Sequence, residues 1–133
     1  MYRSMLIQDY MKKDFLTLDP DMDVLRAAQL LLKSNITGAP VLDTHGRLVG
    51  ILTERDFMQV ALQGFYHGEP GGQVKRHMSP DPEYVSPDES ILTVAEMFIK
   101  GRFQRYPVVD NGRLVGVIAR RDVMGALAEY YPV

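Results

Sequence analysis

An internal repeat constrains the fold of this 133-residue chain more than any other feature of its sequence. Residues 46–50, Gly-Arg-Leu-Val-Gly, recur letter for letter as residues 112–116, at an offset of 66. Upstream of this motif further identities recur at an offset of 67, and a one-residue deletion opposite His45 accounts for the change. Because the matches keep their order over about fifty residues, the chain consists of two copies of one unit.

The repeat predicts three segments along the chain. We place the first copy at residues 7–64, a linker at residues 65–73 and the second copy at residues 74–131. The stretch from Gly64 to Gly72 contains several glycines and a proline, which are typical of a loop.

Both copies predict the same order of elements, β-α-β-β-α. A short extended segment, at residues 15–18 or 83–85, precedes a helix with one apolar stripe. Two aliphatic strands follow, and a second helix begins near Thr53 in the first copy and near Ala119 in the second. One copy is too small to bury a core alone, and continuous aliphatic strands are typical of sheets covered on both faces. We therefore expect an α+β fold in which the copies pack sheet to sheet as a pseudo-twofold pair.

Composition excludes several classes of function. Without cysteine the chain forms no disulfides, thiolate metal sites or cysteine nucleophiles. A formal net charge of −2 argues against nucleic acid as the primary partner. Gln8 and Asp9 interrupt the first apolar run, and no apolar stretch approaches the length of a membrane span. We expect a cytoplasmic protein with no signal peptide and no membrane insertion.

The sequence does not predict an enzyme, a metal site or a required cofactor. His45, His67 and His77 fall in predicted turns or in the linker and lack the spacing of metal ligands. We find no Ser-His-Asp set, phosphate-binding loop or dinucleotide fingerprint.

The repeated motif resembles the CBS domain, a regulatory region named for cystathionine beta-synthase. Pro-Val-x-Asp, then Gly-Arg-Leu-Val-Gly, then an aspartate at the start of a helix occur in both copies, so the resemblance extends from about Ile7 to Tyr131. It implies a stand-alone, energy-sensing regulatory pair that forms a homodimer and signals through conformation or an unknown effector protein. In many family members the clefts between repeats bind AMP, ADP, ATP or S-adenosylmethionine as a regulatory ligand.

Thr53 and Asp56 have two interpretations. Thr-x-x-Asp at a helix start is typical of an N-terminal cap, but the same carboxylate can accept ribose hydroxyls, and a helix N-terminus favours an anion. The resemblance favours the ligand. It implies a first site made of Thr53, Asp56, Pro82, Glu83, Tyr84, Gln104, Arg105, Tyr106 and Pro107.

Three members of this first site also have structural interpretations. Arg105 can donate to phosphate oxygens, or it is an ordinary surface arginine. Tyr84 and Tyr106 can flank a purine, or they belong to the core.

The resemblance also implies a second site, in which the sequence departs from the family pattern. Ala119 lacks the hydroxyl of Thr53, and Gly38 and Ala39 provide no counterpart of Arg105, although two arginines add positive charge. We expect either a more readily occupied first site or a second site that favours a more highly phosphorylated ligand. The second site comprises Phe15, Leu16, Thr17, Thr37, Gly38, Ala39, Pro40, Ala119, Arg120, Arg121 and Asp122.

The alternative function is a dimerisation or protein-interaction scaffold with no ligand in its clefts. Ala119 supports it, as do Tyr84 and Tyr106, whose rings can fill a purine slot. A dimer is predicted from apolar residues of the second helices, although the same residues are equally compatible with a core: Phe57, Val60, Ala61, Val123, Leu127 and Tyr131.

Overall fold

The computed structural model of the protein describes residues 4–69, 71–101 and 103–131. They form two compact units whose boundaries differ from those of the sequence repeats. We call Leu16–Pro82 the continuous unit. The split unit combines the described residues up to Phe15 with those from Glu83 onward. The segment that leads each repeat therefore folds with the helices and strands of the other repeat.

The continuous unit contains a small antiparallel sheet and its helices. Its elements are α1 (Val24–Ser34), β1 (Gly38–Leu42), β2 (Leu48–Thr53), α2 (Glu54–His67), α3 (Val74–His77) and β3 (Ser79–Pro80). Strand β2 lies between β1 and β3 and is antiparallel to both. Helix α2 continues through Gly64 to His67, so the prediction of a loop beginning at Gly64 is wrong. An isolated glycine is tolerated in a helix, and α2 ends only at Gly68, whose φ is 129°.

The split unit repeats this arrangement. It begins with a 3₁₀ helix (Ile7–Asp9) and continues with α4 (Ile91–Lys100), β4 (Arg105–Asp110), β5 (Arg113–Ala119) and α5 (Arg120–Tyr130). Strands β4 and β5 form the predicted hairpin, whose turn places Asn111 and Gly112 at positive φ. Lys12 forms an antiparallel bridge to Val117, at the edge that corresponds to β3 in the continuous unit.

The first strand predicted for each copy is wrong in its extent. The structure shows single parallel bridges, Leu18 with Val41 and Val85 with Val108. The next hydrogen bond of each ladder would need an N–H group from Pro40 or Pro107, and proline has none. Pairing therefore stops after one residue.

Each unit has its own apolar core. In the continuous unit, buried Val24, Leu31, Val41, Leu52 and Val60 pack together. In the split unit, the corresponding cluster includes Ile91, Phe98, Tyr106, Ile118 and Val123.

The helix residues from which a dimer is predicted fall mainly in these cores. Val60 and Val123 are buried, and Phe57 and Leu127 pack against the clusters. Tyr131 is exposed. For most of this set the core interpretation is therefore correct.

No helix in the described part of the chain has the length and apolar character that crossing a membrane requires.

Candidate functional site

Asp56 is fixed at the start of helix α2 by a reciprocal cap. The backbone N–H of Asp56 donates to Thr53 Oγ1 over 3.1 Å, and the backbone N–H of Thr53 donates to Asp56 Oδ2 over 2.9 Å. Asp56 Oδ1 accepts a longer bond, 3.4 Å, from the Ser79 hydroxyl. The capping interpretation is therefore confirmed. It does not compete with ligand binding, because a carboxylate has about four acceptor positions.

Asp122 has the same position at the start of helix α5. Its Oδ2 accepts from the backbone N–H of Ala119 over 2.8 Å, so the carboxylate is held as Asp56 is. Ala119 has no hydroxyl to return the bond. Asp122 Oδ1 lies 3.6 Å from the ammonium nitrogen of Lys12, the repeat counterpart of Ser79. The side chain of Asp122 is only 12 % exposed, so its charge is less screened than that of a surface carboxylate.

Each helix start lies beside the first strand of its hairpin. The N–H of Glu54 donates to the carbonyl of Thr37 over 2.8 Å, and the N–H of Arg120 donates to that of Gln104 over 3.3 Å. In each unit, the next residue along the first strand pairs with the residue that precedes the helix. In the continuous unit this pair is Gly38 with Thr53, and in the split unit it is Arg105 with Ala119.

Strand β2 limits the residue type at Gly38. A Cβ on Gly38 would lie 3.1 Å from the backbone oxygen of Leu52 and 3.3 Å from Cγ2 of Thr53, so there is little space for a side chain at this position. In the split unit, alanine at position 119 is accompanied by an arginine on the facing strand.

Arg105 is a half-buried cation whose Nε atom is buried and has no hydrogen-bond partner among the described residues. Burial lowers the pKa of Arg105 below its ordinary value, and the negative charge of Asp122 acts in the opposite direction. The structure thus groups Arg105 with Asp122, whereas the family resemblance implies a role for Arg105 beside Asp56.

The two tyrosines of the predicted first site differ in how far they are exposed. Tyr106 is 2 % exposed, donates to the carbonyl of Met97 over 3.3 Å, and lies 4.8 Å from Phe98 between ring centroids. Burial raises the pKa of Tyr106; the negative charge of Glu83 adds to this effect and the positive charge of Arg120 opposes it. The ring of Tyr106 is a core residue, whereas Tyr84 is 56 % exposed.

The residues predicted for each site are divided between the two units. Those of the first site in the continuous unit are Thr53, Asp56 and Pro82, and those in the split unit are Glu83, Tyr84, Gln104, Arg105, Tyr106 and Pro107. Those of the second site in the continuous unit are Leu16, Thr17, Thr37, Gly38, Ala39 and Pro40, and those in the split unit are Phe15, Ala119, Arg120, Arg121 and Asp122. Inside each unit, the helix start therefore belongs to one predicted site, and the strand beside that helix belongs to the other predicted site.

Two site features escaped the sequence analysis. Lys12 and Ser79 reach the two aspartates from leading segments of the repeats, and their alignment at an offset of 67 was the available signal. A cleft of about 220 Å³ at the end of α2 is lined by residues that include His67, Glu69 and His77. Within the described ranges, no three His, Asp or Glu side chains are grouped so that they could hold a metal ion.

Comparison with known families gives two matches along the chain. The model of the CBS domain matches residues 7–63 and residues 73–129.

Three relatives have sequences similar to this chain over most of its length. The uncharacterized protein MJ1225 of Methanocaldococcus jannaschii is 29 % identical over 91 % of this chain, which spans 42 % of MJ1225. The CBS domain-containing protein YhcV of Bacillus subtilis is 30 % identical over 88 % of the chain, which spans 81 % of YhcV. Inosine-5′-monophosphate dehydrogenase of M. jannaschii is 32 % identical over 84 % of the chain, which spans 21 % of that enzyme.

Two solved structures share the fold and contain adenosine compounds. CBSX2 of Arabidopsis thaliana in complex with AMP has a TM-score of 0.84 and 26 % identity, covering 96 % of this chain and 98 % of CBSX2. The CBS domain pair of MJ0100, in complex with 5′-methylthioadenosine and S-adenosylmethionine, has a TM-score of 0.82 and 28 % identity, covering 95 % and 98 %.

Proposed function

Because the chain belongs to the CBS domain family and carries two such domains in tandem, we propose that it is a regulatory module that binds an adenosine-containing ligand. Candidate ligands are AMP, ADP, ATP and S-adenosylmethionine. The proposal draws on CBSX2, which holds AMP, and on the MJ0100 pair, which holds 5′-methylthioadenosine and S-adenosylmethionine.

One observation carries the proposal. Each unit holds an aspartate at the start of a helix, with Oδ2 bound to a backbone N–H. This bond orients the carboxylate before a ligand arrives, and acceptor positions remain for the two hydroxyls of a ribose. Binding to a preorganised acceptor avoids part of the entropy cost of ordering a side chain.

The two sites proposed are those implied by the family resemblance. Asp56 and Asp122 would each accept the ribose in one site. The contributing copies are residues 7–64 and 74–131. Tyr84 is the exposed aromatic of the first site and would lie against the purine. In this proposal Tyr106 contributes through its backbone, because its ring is occupied in the core.

The proposed role is regulatory, in the cytoplasm, and not enzymatic. Ligand binding would change the conformation of the pair or its contact with an effector protein, as part of sensing the adenylate energy state. In the relative inosine-5′-monophosphate dehydrogenase the matching region spans 21 % of the enzyme, as expected of an accessory module.

We also propose that the chain forms a homodimer through helix α2. Met58, Leu62 and Phe65 are 54 %, 56 % and 86 % exposed and follow the i, i+4, i+7 spacing of one helix face. An exposed apolar stripe of this kind is typical of an interaction surface. The same observation favours the scaffold as the second candidate function.

Calorimetric titration of nucleotide-free protein with AMP, ATP and S-adenosylmethionine tests the proposed function. We expect at least one ligand to bind with a Kd below about 1 mM, the weak end of specific affinities. Asp56→Asn and Asp122→Asn should each weaken binding, because the amide can still accept the capping bond but has lost the charge. Asp14→Asn, at an exposed position, is the matched control. Absence of binding by all three ligands would leave the scaffold as the function.

A further inference from the structure

The two helix starts differ in charge although they occupy equivalent positions in the repeat. The set in the split unit carries four cations and two carboxylates, a net charge of +2: Lys12, Arg105, Arg120, Arg121, Glu83 and Asp122. The equivalent set in the continuous unit carries one cation and two carboxylates, a net charge of −1: Ser79, Gly38, Glu54, Arg55, Leu16 and Asp56. The two units therefore differ in local charge, although the net charge of the whole chain is close to zero.

The geometry associates two of these cations with Asp122. Lys12 lies 3.6 Å from its carboxylate. Arg105 begins strand β4 directly opposite Ala119, the residue whose N–H holds Asp122. The Nε–H of Arg105 is a buried donor that finds no acceptor in the described part of the chain. A buried donor without an acceptor is unfavourable in the folded protein, so Arg105 Nε–H is a donor that a ligand could satisfy.

The other two cations are also unfavourable for the fold. Arg120 and Arg121 lie in the first turn of α5, where the positive end of the helix dipole disfavours cations. Helix α2 has Glu54, as the dipole prefers, where α5 has Arg120; Arg55 and Asp56 correspond to Arg121 and Asp122, so the two helix starts differ in charge at the first position. Local choices that oppose stability tend to mark functional positions. An anion placed beside these groups would satisfy the free donor and offset the repulsion.

We propose that the Asp122 end of the module selects phosphorylated adenosine ligands, with Arg105 and Lys12 contacting phosphate oxygens. The Asp56 end, which lacks these cations, accepts adenosine compounds that carry no phosphate or a positive charge, such as the sulfonium of S-adenosylmethionine. This inference rests on the proposed function, because it assumes that Asp122 receives a ribose. It assigns Arg105 to the second site, whose predicted strand residues include no cation.

Titration of the full chain with ATP and with adenosine tests the inference. Adenosine has the same base and ribose but no charge, so it reports on the rest of the site. We expect ATP to bind the wild-type protein more tightly than adenosine, and Arg105→Gln to weaken ATP binding about tenfold or more while leaving adenosine binding unchanged. Lys12→Ser, at an exposed position, should cause a smaller loss, also specific to ATP.

Arg113→Gln is the matched control, since it removes an equal charge from an exposed position in the same unit. Circular dichroism checks that each variant is folded, and Lys12→Ser keeps the test valid if Arg105→Gln fails that check. If the variants affect ATP no more than Arg113→Gln does, the inference is wrong while the proposed function stands. If the wild-type protein binds neither ATP, adenosine nor S-adenosylmethionine, the proposed function itself is wrong.

Discussion

The side chain of Met11 occupies the space that a side chain at Gly116 would need. Met78 has the same relationship to Gly50 in the continuous unit. Each methionine comes from the segment that leads one repeat, and each glycine lies in a strand of the other. The glycines allow the two segments to approach closely, so each compact unit depends on a segment from the other sequence copy.

This contact predicts the effect of a side chain on β5. Gly116→Ala should destabilise the protein by about 1–3 kcal/mol, because it forces Met11 out of its position. Urea denaturation measures the loss. In a double-mutant cycle, Met11→Ala should relieve part of it, since the two residues are in contact.

Gly125→Ala is the control for that experiment. A Cβ at Gly125 has nothing within 4 Å, and alanine is the better residue in helix α5. It should therefore stabilise the protein by up to about 1 kcal/mol. Equal effects at Gly116 and Gly125 would show that the contact with Met11 does not constrain the fold.

The helix caps predict opposite effects at two equivalent positions. Thr53→Ala removes the hydroxyl that caps α2 and should lower the free energy of unfolding by about 1 kcal/mol. Ala119→Ser supplies the missing hydroxyl of α5 and should raise it by a similar amount. Thermal denaturation of both variants provides the comparison. A stabilising effect of Thr53→Ala would contradict the cap described here.

The buried phenol of Tyr106 predicts a pH dependence of stability. Because burial raises the pKa of Tyr106 in the folded state, its contribution is complete below the unfolded value of about 10. The contribution is lost as the pH rises from that value through the raised one. Tyr106→Phe should therefore lose less stability than the wild-type protein between neutral and strongly alkaline pH. Urea denaturation across this range measures the difference, and Tyr84→Phe, which removes the same hydroxyl from an exposed ring, is the matched control.

The exposed face of α2 predicts the effect of a charge on assembly. Leu62→Glu should convert the proposed dimer to a monomer in light scattering, because a carboxylate would replace an apolar contact. Gln59→Glu introduces the same carboxylate at another exposed position of the helix and should leave the dimer intact. A monomeric wild-type protein would remove the basis for this interface.

Local patterns in the sequence predicted much of each unit. The Asn111-Gly112 turn adopts positive φ at both residues, and the Thr53 cap is present, since both depend on neighbouring residues. The extent of the first strands was missed, because it depends on whether the facing strand has an N–H at Pro40 or Pro107.

The candidate site was predicted less completely, for physical reasons. Arg105 is grouped with Asp122 by the register of β4 and β5 and by burial, and neither follows from distance along the sequence. Lys12 reaches Asp122 through a pairing between segments more than a hundred residues apart. Non-local pairings of this kind are not set by short-range propensities.

A crystal structure of the protein grown with AMP and one grown with ATP would test the central claim most directly. We predict that the ribose hydroxyls lie within about 3.2 Å of carboxylate oxygens of Asp56 or Asp122, the ordinary limit of a hydrogen bond. In the ATP complex, phosphate oxygens should contact Arg105. A bound nucleotide whose ribose contacts neither aspartate would contradict the account.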